Sequence, residues 1–165
     1  MSLLSIFDSR TIRKIKIADN DDLRNEIDII YSAQSQTTLA KWSLEIAKHI
    51  IHLTSFDVSK YLEIQEGFTI NELWQKGKAS IHDVRQIGFR IHKIAREQTD
   101  ELSKTILRVI GHAVASGHMK EHSMVASDYA IKGINLLYNN DLEKVLEERM
   151  WQLEKLKAIQ LLQEV

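Results

Sequence analysis

The segment Thr37-Thr38-Leu39-Ala40-Lys41-Trp42-Ser43-Leu44-Glu45-Ile46-Ala47-Lys48-His49-Ile50-Ile51-His52-Leu53 decides the fold class. Its large apolar residues Leu39, Trp42, Ile46, Ile50 and Leu53 recur at steps of three and four. That is the period of an α-helix with one face against a core. Thr37 or Thr38 is the expected cap, because a side-chain oxygen there can accept from an orphan N–H of the first turn.

Outward from this segment the same period repeats. Asp19 or Asn20 opens a helix with Leu23, Ile27, Ile30 and Tyr31 on its face. Ser59 starts another that runs through Leu62 toward Trp74 and ends near Gly77. Ser80 and Asp83 form a capping box ahead of Val84, Gly88, Ile91 and Ala95. Thr99 caps a helix lined by Leu102, Ile106, Val109 and Ala113. Ser123 begins the next, where Ala126, Ala130 and Gly133, followed by Leu137, allow a neighbouring helix to approach closely. After Asn139-Asn140-Asp141 the final helix uses Leu142, Val145, Leu146, Leu153, Leu156 and Ile159. Residues 11–17 alternate weakly and are readable either as a short strand or as a helical turn, so residues 1–18 form an N-terminal segment without a firm assignment.

The sequence therefore predicts an all-α, single-domain helical bundle over residues 1–165, with about six or seven helices. Proline is absent and there are only six glycines, so little interrupts the helices. No cysteine is present, which excludes disulfides, thiolate metal sites and a cysteine nucleophile. Met1 to Asp8 lacks the cationic start and long apolar core of a secretion signal, and no stretch approaches the roughly 20 apolar residues of a membrane span. We expect a soluble, cytoplasmic protein with no membrane partner. Its 22 basic and 23 acidic side chains balance to −1, which argues against nucleic acid as a partner.

Histidine is the most suggestive residue type. His112, His118 and His122 fall close together, and His118-Met-Lys-Glu121-His122 matches H-x-x-E-H, a zinc-peptidase pattern. If one helix carried both, His118 and His122 would share a face as metal ligands, with Glu121 as general base. Gly117 and the polar residues after it instead suggest that the two histidines straddle a turn and bridge a helix junction. Thr105, Arg108, His112 and Ser116 form a polar strip beside the apolar arc of their helix. His49, His52 and His92 are expected at core edges. Trp42, Trp74 and Trp151 have apolar spacings, and Trp151 is the one expected to be most exposed. No phosphate loop, dinucleotide fingerprint or nucleophile elbow is present.

The stretch from Val109 to Lys132 carries Gly111, His112, Ala113 to Ser116, His118, His122, Ala126, Tyr129, Ala130 and Lys132. In this pattern it resembles the Imm-five-like immunity protein family associated with bacterial polymorphic-toxin loci. Supporting likenesses are Ala40-Lys-Trp42 with Glu45, Trp74-Gln-Lys-Gly77, and Glu148-Arg-Met-Trp-Gln152. Arg85, His92, Ala95, Arg96 and Glu97 add a fourth. Glu121 departs from the family pattern, where that position is not usually acidic, and this weakens the peptidase reading. Gly67 and Phe68 depart as well, lying where the family helix is more regularly amphipathic, so a break in the third helix is expected there. The resemblance implies a protein that binds and neutralises a cognate toxin without catalysis and without a cofactor. Candidate binding residues are Arg108, His112, His118, His122, Tyr129 and Trp151, and no residue is assigned a catalytic role. The alternatives are a metal-dependent hydrolase using His118, Glu121 and His122, or a helical regulator that binds a small molecule. The exposed side of the last helix is a candidate for homodimer formation.

Overall fold

The computed structural model describes residues 10–164. The expectation for Met1 to Asp8 lies outside the described residues. Within them are seven α-helices and no strand: α1 Asp21–Ser32, α2 Gln36–Thr54, α3 Leu62–Gln75, α4 Ile81–Arg96, α5 Glu101–Ala115, α6 Glu121–Leu137 and α7 Leu142–Glu164. Helix α5 is the hub, packed on α2, α4 and α6, while α7 closes the bundle against α1, α2 and α6.

The opening segment forms α2, and Leu39, Trp42, Ile46 and Ile50 are fully buried. Against them α5 sets Ile106, Leu107, Val109, Ile110, Ala113 and Val114. Each large apolar side chain removed from water contributes roughly 1.5–3 kcal/mol. Leu53 is the exception, being 39% exposed. It sits in the last turn, just before the left-handed C-cap Ser55, and lines a shallow cavity rather than the core.

Several helix starts move from the expected residue. Ser35, not Thr37 or Thr38, caps α2 by accepting from the Thr38 N–H. Ser59 lies in a 3₁₀ turn, Val58–Lys60, capped by Asp57, and α3 begins at Leu62 with no side-chain cap. Asp100 rather than Thr99 caps α5. Helix α6 starts at Glu121, ahead of Ser123. Asn20 caps α1, and the Ser80–Asp83 capping box is formed in both directions.

Helix α3 runs unbroken through Gly67 and Phe68. Gly67 is there for contact: a Cβ would lie 2.9 Å from both Ile91 Cδ1 and Val114 Cγ2. The helix ends at Gln75, and Gly77 just past the C-cap Lys76 has a φ of 72° that suits glycine. On α7, Leu142 and Leu146 are exposed instead of buried. The inner face is taken by Val145, Arg149, Gln152, Leu153, Leu156 and Ile159. Residues 11–18 form neither strand nor helix. This coil is pinned by Asn135, which accepts from the Ala18 N–H and donates to the Ala18 carbonyl, and by Asp28, which accepts from the Thr11 N–H.

Candidate functional site

Four of the seven histidines meet where α4, α5 and α6 come together. His112 stands in the last turn of α5, with Arg108 one turn before it. The chain then turns through residues 116–118 and enters α6 at Glu121, which sets His122 in the first turn of that helix. His92 comes across from α4. It fits because position 111 is glycine, where a Cβ would fall 2.7 Å from His92 Cε1.

The rings touch in sequence. His92 meets His112 edge-on with centroids 4.5 Å apart. On its other contacts His112 stacks on Tyr129 at 5.4 Å and lies 5.2 Å from His122. His118, in the turn, is 5.9 Å from His122. Arg108 Nη1 donates to His92 Nδ1 at 2.8 Å, so neutral His92 carries its hydrogen on Nε2. His112 Nδ1 and His122 Nδ1 are 3.0 Å apart, close enough that one donates to the other and the pair shares a hydrogen. All of these side chains are half-buried.

Three of the imidazoles are held toward the neutral form. Burial, then Arg108, His122 and Arg96, push His92 down to about 4. Burial, His92, His122, Arg108 and Lys14 push His112 down to about 2. His122 is lowered by burial, His118 and Lys14, with Glu121 opposing. Each nearby cation makes it harder for the next imidazole to accept a proton.

The polar strip expected on α5 is narrower than its spacing suggests. Arg108 and His112 belong to the cluster, but Thr105 and Ser116 are buried. Ser116 faces the other way and bonds with Ser43 and Asn71. His92, expected only as a core-edge residue, is part of the cluster. His118 lies in the turn and His122 in the first turn of α6, so the two do not share one helix. Among the described residues no group of three or more His, Cys, Asp or Glu is arranged to hold a metal ion. Trp151 belongs to another neighbourhood: it stacks on His49 at 3.7 Å, and His49 Nε2 meets Glu148 Oε2 at 2.9 Å. Trp42 is fully buried, whereas Trp74 and Trp151 are half-buried.

A second polar centre was not anticipated. Arg149 is fully buried, yet its guanidinium meets Asp19 and Asp128, each at 2.7 Å. It also donates to Gln152 Oε1 at 2.9 Å. Arg24, buried as well, binds Asp128 through two bonds of 2.9 Å. Burial works against charge on Asp19, but bonds from Arg149 outweigh it and hold the carboxyl below its usual range. Arg149 in turn is raised, because the same bonds overcome its own burial. The signal was present in the spacing, since position 149 lies in register with Val145, Gln152 and Leu156.

Among protein families, a family model described as Imm-5 like putative immunity protein matches residues 30–159. Comparisons with curated proteins and with solved structures gave no match.

Proposed function

This chain belongs to the Imm-5 like putative immunity protein family, and from that premise we propose that it binds a cognate toxin protein and holds it inactive, without catalysing a reaction. The proposed contact face is the half-buried surface of Arg108, His112, His118, His122 and Tyr129, extended by His92. Its proposed site of action is the cytoplasm of the bacterial cell that makes the toxin.

One observation carries this reading. Residues that gave the family resemblance lie on six of the seven helices, and two groups of them stand out in space. Trp42, Arg149 and Gln152 are fully buried, and packing or ion pairing accounts for them. His92, His112, His118, His122 and Tyr129 meet at a partly open surface, where folding alone does not call for them. A preorganised set of aromatic and cationic anchors is what a tight protein interface uses. The hydrolase alternative has no comparable support, because the H-x-x-E-H segment is split between a turn and a helix.

Coexpression with the toxin encoded beside it tests the proposal. Growth should be rescued, and the two proteins should copurify. A toxin shown to be active, neither neutralised nor retained by this protein, would overturn the reading.

A further inference from the structure

We propose that the histidine cluster is the receptor for an acidic side chain of the toxin, a carboxylate seated against Arg108, His112, His122 and Lys14. This rests on the toxin-binding reading above and adds the chemistry of the partner.

The cluster is one-sided in charge. From α4 it is faced by His92 and Arg96, from α5 by Arg108, and from α6 by His122. The turn contributes His118 and the N-terminal coil contributes Lys14, while Glu121 is the one acid acting on it among the described residues. Arg108 makes one hydrogen bond among those residues, to His92, and neither it nor Lys14 forms an ion pair there. The contrast with Arg24 and Arg149 is direct, since both have buried carboxylates in contact. Donors with no acceptor, at a surface water still reaches, are suited to an acceptor brought by a partner.

Lys14 also lines a neighbouring cavity of about 430 Å³, together with Tyr31, Lys120, Glu121 and Met124. The Tyr31 hydroxyl is buried there with no hydrogen-bond partner. A partner chain that places its acid on the cluster therefore finds room beside it for a second side chain.

Carboxylate is favoured over the phosphates of a nucleic acid. A nucleic-acid site needs an extended basic surface, and this chain carries a net charge of −1. A single carboxylate needs only the guanidinium and one or two imidazoles, which make charge-assisted bonds to it. The arriving negative charge would also let the imidazoles take up protons that they now refuse. Binding is therefore coupled to proton uptake and tightens as pH falls below neutral toward the lowered range of His122 and His92.

The probe is acetate, titrated into the full chain with labelled histidines while chloride is withdrawn at constant ionic strength. The imidazole resonances of His92, His112 and His122 should shift and saturate. The midpoint of His122 should rise by about half a pH unit or more, the size of an added nearby charge, whereas His112, held down to about 2, takes its proton only where acetate is already uncharged. His52 and His82, which are exposed and outside the cluster, serve as controls. Arg108→Gln should weaken the acetate response about threefold or more, since glutamine cannot supply the fork or the charge. Lys14→Gln, a change at an exposed coil residue, should weaken it without touching the bundle. If the cluster moves no more than the controls, or both variants respond like the parent, there is no carboxylate receptor. The titration needs no toxin, so that failure leaves the rescue experiment standing. A protein that responds to acetate but rescues no growth fails instead on the immunity reading.

Discussion

Two polar centres lie within one small bundle, and they are built on opposite rules. Around Arg149 every charge has a partner: Asp19 and Asp128 close on it, Arg24 closes on Asp128, and Arg13 closes on Asp19. Around His112 the described neighbours are further bases, and the single acid among the described residues that acts on the cluster, Glu121, is exposed. The first centre joins the N-terminal coil to α1, α6 and α7, so it fixes the architecture. The second leaves donors pointing at water. Charge balance marks the centre that holds the fold, and imbalance marks the one proposed to receive a partner.

The strongest way to break that comparison is Arg149→Met. Volume is kept, but two buried carboxylates lose their shared cation. Breaking a buried pair in this way costs about 3–5 kcal/mol. Denaturant unfolding at neutral pH should show that loss. The deficit should shrink as pH falls, because the Asp19 carboxyl, no longer held charged by Arg149, can then be neutralised by a proton. A variant as stable as the parent would mean that the ionic centre does not hold the fold.

The parent protein should show the opposite dependence at the other centre. His92 falls from 6.5 in an unfolded chain to about 4 in the folded one. The unfolded state therefore binds the proton first, and folding stability drops as pH falls from about 6.5 toward 4. At pH 5 the His92 contribution alone is about 2 kcal/mol. Asp19 is held below 3.8, so its own contribution persists until the medium is more acidic than that. Unfolding free energies at pH 7.5, 6 and 5 check this. A flat profile would show that the imidazoles are not held neutral.

Much of this architecture was legible in the residues. Helix number, the α2 face and the Ser80–Asp83 box follow from period and capping chemistry, both of which act locally. Caps were misplaced where two adjacent residues could serve, as with Thr99 and Asp100, because final geometry decides between them. The break expected at Gly67 was wrong for a different reason. Glycine there answers to Ile91 and Val114 on other helices, which no local rule reveals. The site divides the same way. His112, His118 and His122 were visible as a sequence cluster, and Arg108 came with them by helical step. His92 could not be placed, since its membership depends on Gly111 leaving space across a helix pair. Arg149 is the instructive miss, because its position in the apolar register was readable and only its charge diverted attention.

The smallest effect is also the most discriminating. In Arg108→Gln one hydrogen bond to His92 is lost, at a position water already reaches. At pH 7.5 the cost should stay near 1 kcal/mol or below, the worth of an ordinary hydrogen bond. At lower pH a second consequence enters with the opposite sign. Arg108 is one reason why His92 and His112 resist protonation in the folded state. Without it both imidazoles move upward toward their ordinary range, and less stability is lost between pH 7.5 and 5. The parent and the variant should therefore converge, or cross, as pH falls. Thermal midpoints of the two proteins at both pH values measure this directly. An equal gap at both would mean that the guanidinium acts on the cluster only as a hydrogen-bond donor, and the distinction between a balanced and an unbalanced centre would lose its electrostatic basis.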